Sequence, residues 1–146
     1  MQQPPLTTAR KLTVFLAARQ AQPFDWRTNN CCHLAAQWVQ RLTGLDPMRG
    51  LPITPDGRRA MKLVQRLGGM QRAWSQALCR EAIEPLLAQT GDLVLVQLDV
   101  DASACGTGHT VGICNGHRVL VLDQAGQVQP VGWAGAVCAW RVEVPA

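Results

Sequence analysis

Apolar residues recur at helical spacing through the first part of the chain. In segment 7–20, Leu12, Phe15 and Leu16 follow the three-and-four spacing of one helix face, after threonines that suit a helix cap. Later stripes stop at Gly44 and Gly68, and glycine commonly terminates helices. The pattern predicts further helices over residues 31–42, 58–67 and 70–81, and a last helical turn over 86–89.

The spacing of apolar residues changes from helical to strand-like after residue 91. Segment 92–98 reads DLVLVQL, which predicts a strand. Asn115-Gly116 is a hairpin signal, and short connections between strands imply an antiparallel sheet. We predict one α+β domain over 1–146, with helices over about 7–89 packed on a sheet over about 91–144. The further predicted strands are 109–114, 118–122, 127–131 and 137–144.

Composition is that of a globular domain, with 47% apolar and 16% charged residues among 146. No apolar run approaches the roughly 20 residues that span a bilayer, so we expect no membrane span. The first twelve residues lack a basic start followed by an apolar run, so we expect synthesis in the cytoplasm without a secretory signal.

Charge is unevenly distributed: residues 1–80 hold 12 basic and 3 acidic residues, and 81–146 hold 2 basic and 7 acidic. Such asymmetry suits docking in an oriented assembly, although solvated helix faces are the simpler explanation. The arginines are spread over several helices without a recognisable motif, which argues against nucleic acid as a partner.

Six cysteines are present, and their spacing does not indicate a disulfide framework. Free cysteine packs as a small apolar residue, so we expect Cys79 and Cys138 to fill the core. Cys31 and Cys32 differ, because they follow the cap residue Asn30 at the predicted start of a helix.

A helix N-terminus carries partial positive charge, which stabilises a thiolate, the nucleophilic form of cysteine. Cys31 lies three and four residues before Leu34 and Ala35, on the stripe that must face the sheet. Cys32 is turned by about 100° from it. Cys31 is therefore the candidate nucleophile, and simple packing is the alternative.

The candidate general base is His109, which begins the strand HTVGIC and would have to reach within about 3 Å of the thiol. Asp123 or Gln124 could orient its imidazole, although Asp123 also suits the adjacent turn. His33 is two residues from Cys31 and faces elsewhere, so we expect it at the surface or an interface. His117 follows a tight turn and is expected to be exposed.

The residues Cys105, His109, Cys114 and His117 have ligand types that suit zinc. Their spacing matches no known finger, and neighbours in a strand alternate between faces. We therefore predict no metal site and no cofactor.

The order of Asn30-Cys31, Gly91-Asp92 and Val111-Gly112-Ile113 resembles the NlpC-type cysteine peptidases. The resemblance implies a compact papain-like fold. Many members of that superfamily cleave peptide bonds in bacterial peptidoglycan.

The chain is more closely similar to a branch of this superfamily encoded in tailed phages and prophages. The similarity lies in PFDWRTNNCCHLAAQWVQRLTGLDP, in Gly68-Gly69, in GDLVLV and in AWRV, and it spans about residues 12–144. It implies a virion component of the tail tip or baseplate, with tail-tip and hub proteins as partners.

Two departures from the peptidase pattern bear on activity. Thr110 stands where the family has histidine, so His109 comes one place early and would point to the opposite face of a strand unless a bulge intervenes. Asn30 replaces the usual aspartate. We therefore expect a catalytically degenerate structural protein. The alternative is an active peptidase that uses Cys31, His109 and Asp123 on peptidoglycan peptides.

Overall fold

The computed structural model of the chain describes residues 6–19, 22–98 and 108–143. Within them, four α-helices and a short 3-10 turn precede a five-stranded antiparallel sheet, which confirms the predicted α+β fold. The helices are α1 (Thr8–Ala18), α2 (Cys31–Thr43), α3 (Gly57–Arg66) and α4 (Met70–Leu78), and the 3-10 turn is Pro85–Leu87. The strands are β1 (Leu93–Gln97), β2 (His109–Cys114), β3 (Val119–Leu122), β4 (Val128–Val131) and β5 (Ala136–Trp140).

The helix boundaries follow from local capping. Thr7 accepts a hydrogen bond from the backbone N–H of Arg10 at 3.2 Å, and Asp56 caps α3 in the same way. Gly44 ends α2 with a φ of +80°. Helix α4 ends at Leu78, three residues earlier than predicted, because Cys79 adopts a left-handed conformation that the apolar pattern does not reveal.

The strand order in the sheet is β4-β3-β2-β1-β5. The first strand therefore lies between the second and the last, and β4 and β5 form the two edges. Between β1 and β5 the register shifts at Leu95 and Val96, where a bulge places one extra residue on β5.

Each face of the sheet is covered by an apolar cluster. Side chains of Leu93, Leu95, Val111 and Ile113 pack against the helices, and the larger cluster there includes most of α2. The opposite face is lined by alternate residues of the same strands and is covered by the segment after α4 and by the turns beyond β3. That second cluster contains Val94, Val96, Cys114, Val119, Val121 and Ala139.

Two buried indoles connect the helices with the sheet. Trp38 donates its indole N–H to the carbonyl oxygen of Gly91 at 2.8 Å, and Trp140 donates to the Ser75 hydroxyl at 3.0 Å. These bonds fix α2 and α4 on the sheet while satisfying polar groups inside the core. No helix in the described ranges is long and apolar enough to cross a bilayer.

Candidate functional site

The start of α2 is fixed by a reciprocal capping box. The Asn30 side chain accepts the backbone N–H of His33 at 3.1 Å, and the His33 Nδ1 atom accepts the backbone N–H of Asn30 at 3.2 Å. Two amide groups that a helix start leaves unpaired are thereby satisfied. His33 is half-buried in this contact.

The loop before α2 is held by Asn29, whose side chain is buried. Its amide donates to the carbonyl oxygens of Gln22 and Pro23, both at 3.1 Å, and its oxygen accepts from the Arg19 guanidinium. Arg19 also donates to Gln37 on α2 at 2.7 Å. Both asparagines of the Asn-Asn-Cys-Cys motif therefore position the helix start, Asn30 as the cap and Asn29 by holding the loop before it.

Cys31 lies where its spacing predicted, on the face of α2 that packs against the sheet. Its exposed fraction is 0%, and it belongs to the same apolar cluster as Leu34 and Val111. Of the five cysteines in the described ranges, four are free thiols and Cys31 is disulfide-bonded. A sulfur in a disulfide carries no thiolate, so this state holds no nucleophile at the helix start.

Cys32 points away from the sheet and lines a cavity beside α3 and α4. Burial raises the pKa of its thiol to about 11, although a hydrogen bond with Trp74 opposes the shift. At neutral pH this thiol is protonated, so it does not take over the role predicted for Cys31.

His109 lies on the helix-facing side of the sheet. It alternates with Val111 and Ile113 on that face and lines a groove with Leu95 and Met70. The side chain that points to the opposite face is Thr110, which is buried among residues of the second cluster. His109 therefore lies on the same side of the sheet as α2, with no bulge between β1 and β2, so the prediction that its displacement turns it to the opposite face is wrong.

The groove beside His109 does not include the predicted nucleophile. Its described lining residues come from α3, from α4 with the glycines before it, and from the ends of β1, β2 and β5. Among the described residues, the cavity beside Cys32 shares Val64 and Met70 with this groove. Neither space has Cys31 among the described residues that line it.

Asp123 lies in the turn between β3 and β4. Its carboxylate accepts the backbone N–H groups of Ala125 and Gln127, both at 2.9 Å. The alternative role that the sequence offered for Asp123, a turn former, is therefore present. The proposed orientation of the imidazole by Asp123 stays a prediction.

The zinc pattern is divided between different parts of the structure. Cys105 lies outside the described residues, His117 is exposed after the β2–β3 turn as predicted, and Cys114 is buried on the second face. No group of three or more His, Cys, Asp or Glu side chains suited to a metal ion occurs within 6–19, 22–98 and 108–143.

The two cysteines expected in the core differ. Cys138 is buried as predicted, and burial raises the pKa of its thiol to about 11. Cys79 is exposed, so that prediction is wrong. Its position at the left-handed C-cap of α4 turns its side chain out of the core.

Asp92 of the Gly-Asp pair is buried and joins three segments. Its carboxylate accepts the backbone N–H groups of Gln89 at 2.8 Å and Val142 at 3.2 Å, and it lies 3.5 Å from the Arg141 guanidinium. Burial raises its pKa above the ordinary value, while these contacts oppose the shift. The sequence indicated no such role, because Arg141 and Asp92 are far apart in the chain.

Residues 6–142 match the sequence profile of a family described as Domain of unknown function (DUF6950). Because the match covers nearly the whole chain, the chain belongs to this family. No curated protein matches the sequence.

Proposed function

We propose that this chain is a structural component of a tailed-phage tail tip or baseplate, built on an NlpC-type peptidase fold without a working active site. The observation that carries the proposal is the state of Cys31, which has an exposed fraction of 0% and is disulfide-bonded. Covalent catalysis requires a thiolate that a substrate carbonyl can approach closely, and this sulfur meets neither condition.

The position of His33 supports the same conclusion. A general base must lie within hydrogen-bond reach of the nucleophile in a cleft that also admits substrate. His33 uses its Nδ1 atom to cap α2, so this nitrogen is occupied by the fold.

A role in a particle outside the cell is consistent with the disulfide and with the charges. Disulfides persist in oxidising surroundings such as virion surfaces and are rare in the cytosol. The first half of the sequence is basic and the second half is acidic. Such an uneven charge distribution suits a domain that is held in a fixed orientation among tail-tip and hub proteins.

An active peptidase is the second candidate, and the face occupied by His109 favours it. After reduction of the disulfide, Cys31 would attack the peptide carbonyl while His109 accepts the thiol proton. His109 would return that proton to the leaving amine, and water would then hydrolyse the thioester. Asp123 would orient the imidazole, and the substrates would be peptidoglycan peptides.

The structural role is tested by locating the protein. Virions of the encoding phage are purified by density gradient and their proteins are quantified by mass spectrometry. We expect this chain at a fixed copy number per particle, in constant ratio to the tail-tip proteins. Its absence from purified virions would contradict the proposal.

The peptidase candidate is tested with the purified, reduced chain and peptidoglycan peptides. Wild type is compared with Cys31→Ser, and Cys32→Ser is the matched control from the same helix turn. We expect no cleavage from any of the three. Cleavage by wild type and Cys32→Ser that disappears in Cys31→Ser would establish the peptidase instead.

A further inference from the structure

Helix α3 carries a group of cations on its outer side. Arg58, Arg59, Lys62 and Arg66 are all exposed, and the helix contains no acidic residue. Successive residues of an α-helix turn by about 100°, so these four side chains share an arc of about 100°. We call them the basic face of α3.

The basic face points away from the rest of the domain. The apolar residues of the opposite side line the cavity beside α3 and α4, and they are Ala60, Leu63, Val64 and Leu67. Because α3 has no buried residue, the helix lies at the surface of the domain. The described part of the chain therefore leaves the basic face uncovered.

The basic face is poorly neutralised by the chain itself. The Asp56 carboxylate lies 4.0 Å from the Arg59 guanidinium and also accepts the backbone N–H of Arg59 as the cap of α3. Within 6–19, 22–98 and 108–143, no carboxylate oxygen lies within 4.0 Å of the basic groups of Arg58, Lys62 or Arg66. Three of the four cations therefore lack an ion pair among these residues.

The order of the cations opposes the stability of the helix. Arg58 and Arg66 each stand four residues from Lys62, and Arg59 stands three residues from it. Like charges at these spacings destabilise a helix, whereas opposite charges stabilise it. A surface whose only role is solubility usually mixes both signs. A partner explains this arrangement, and the stability of α3 does not.

The spacing of the cations indicates the shape of the partner. Arg58, Lys62 and Arg66 rise by about 6 Å per step along the helix axis, at about 1.5 Å per residue. Carboxylates four residues apart on a second helix repeat at the same interval. The phosphates of duplex DNA are much denser, with one charge per about 1.7 Å of its axis. The row therefore fits an acidic helix better than it fits nucleic acid.

We propose that the basic face of α3 binds an acidic helix of a neighbouring protein, with carboxylates at i, i+4 and i+8 opposite Arg58, Lys62 and Arg66. Arginine suits this contact because its guanidinium can form two parallel hydrogen bonds with one carboxylate. Attraction between the two rows guides the encounter and fixes their register. The inference rests on the proposed structural role, since it places the acidic helix on another protein of the assembly.

Binding is measured by NMR with the isotope-labelled chain and a synthetic peptide. The probe is an alanine-based helix of about 20 residues with glutamates at i, i+4 and i+8. Its control has the same composition, with glutamates at i, i+5 and i+10 that point to three different sides. At an ionic strength of about 0.01 M, charges are weakly screened. We expect the probe to shift the signals of the α3 amides and to bind at least about fivefold more tightly than the control.

Charge reversal tests the register. Lys62→Glu places an acid in the middle of the row, and Arg10→Glu is a control on α1 with the same change in net charge. We expect Lys62→Glu to bind the probe at least about fivefold more weakly and Arg10→Glu to bind it as wild type does. A probe whose central glutamate is replaced by lysine should bind Lys62→Glu more tightly than it binds wild type, because the two rows are complementary again.

The same variant separates binding from folding. Lys62→Glu converts three like-charge pairs of α3 into opposite-charge pairs, so its unfolding temperature should rise by about 2–4 °C. Thermal unfolding followed by circular dichroism measures this rise. A lower unfolding temperature would show that the fold needs Lys62 and would overturn the inference.

Four other results would also overturn it. They are unchanged α3 signals, equal binding of the two glutamate peptides, unchanged binding in Lys62→Glu, and a duplex DNA oligonucleotide that shifts the α3 signals when the probe does not. The last result would assign the basic face to phosphate. Presence in purified virions without probe binding would refute this inference alone, and probe binding without virion incorporation would refute the proposed function alone.

Discussion

At the scale of single residues, the segment Asn-Asn-Cys-Cys-His serves mainly to build the start of a helix. Asn30 and His33 cap α2 reciprocally, Asn29 fixes the preceding loop, and Cys31 is enclosed by the core. The polar side chains of this segment, which suggest a catalytic site, are therefore also needed to form the helix start, because the free N–H groups of its first turn must find acceptors.

His33 makes the stability of this cap sensitive to pH. Burial lowers its pKa below the ordinary value, Arg19 acts in the same direction, and Asp25 and Asp46 oppose it. The unfolded state therefore binds more protons just below pH 6.5, so the free energy of unfolding should fall as the pH drops through that region. Urea denaturation at several pH values measures this fall.

His33→Gln is the matched control for that prediction. A glutamine at this position can complete a capping box without titrating. We expect the variant to be as stable as wild type at neutral pH and to lose most of the acid dependence. An unchanged pH profile in His33→Gln would show that another group is responsible.

The free thiols should react at very different rates. Cys79 is exposed, whereas burial raises the pKa values of Cys32 and Cys138 to about 11. In the native chain at pH about 8, a disulfide reagent such as DTNB should modify Cys79 rapidly and the thiols of Cys32, Cys114 and Cys138 much more slowly. Cys79→Ser should abolish the rapid phase; if it persists, a supposedly buried thiol is accessible.

The face to which a side chain points was predictable from the sequence where helical geometry alone determines it. The three-and-four spacing correctly placed Cys31 on the buried face of α2. The face occupied by His109 depends on strand register, which is set by contacts with β1 rather than by local sequence. Exposure of Cys79 depends on a left-handed cap that an apolar pattern does not show.

At the scale of elements, the buried carboxylate of Asp92 ties the start of β1 to the segment after β5. Asp92→Ala would leave two backbone N–H groups without their acceptor and would remove the carboxylate that lies 3.5 Å from the Arg141 guanidinium. We expect a loss of about 2–4 kcal/mol in the free energy of unfolding, measured by chemical denaturation.

Asp123→Ala is the comparison for that variant. Asp123 also accepts two backbone N–H groups, but in an exposed turn where water can replace the carboxylate. Its loss should cost about 1 kcal/mol or less. Equal losses at the two sites would mean that burial of Asp92 contributes nothing.

Gly126 fixes how closely the β3–β4 turn approaches the loop before α2. It has a φ of +86°, and a Cβ there would overlap the Gln22 carbonyl oxygen and lie 2.7 Å from the Phe24 amide nitrogen. Gly50 has a similar φ of +82° with open space around it. Gly50→Ala should cost about 1 kcal/mol, from backbone conformation alone, and Gly126→Ala at least about 2 kcal/mol more.

Thermal or urea unfolding of the two alanine variants separates the two contributions. Because both glycines have left-handed backbones, only the crowding around Gly126 differs between them. Similar losses would show that the loop moves aside at little cost.

The elements themselves were largely predictable, and their arrangement was not. Periodicity and turn residues located four helices and five strands, and the hairpin at Asn115 implied antiparallel pairing. The placement of β5 beside β1 depends on Leu93 pairing with Trp140, which are distant in sequence. Local patterns carry no information on such pairs.

At the scale of the whole molecule, burial is unevenly distributed. Strands β1 and β2 pair with each other and are buried on both faces, whereas α3 has no buried residue. The two cysteines at the start of α2 are divided in the same way. Cys31 lies in the buried cluster between α2 and the sheet, and Cys32 lines the cavity beside α3, which is less buried.

Hydrogen exchange should report this division directly. Amides of β1 and β2 should exchange only through near-global unfolding, whereas those of α3 should exchange through local opening. Exchange followed by mass spectrometry or NMR measures the two. Protection of α3 equal to that of β1 would contradict the described packing.

The place of β5 in the sheet has a consequence for biosynthesis. Because β1 pairs on one side with the strand made last among the five, its hydrogen bonds remain incomplete until Trp140 has emerged from the ribosome. The helices can form during synthesis, but the five-stranded sheet can be completed only after all of its strands, up to the end of β5, have left the ribosome. A nascent chain tethered with β5 still inside the ribosome should therefore remain protease-sensitive, and one extended by a linker that brings Trp140 outside should be resistant.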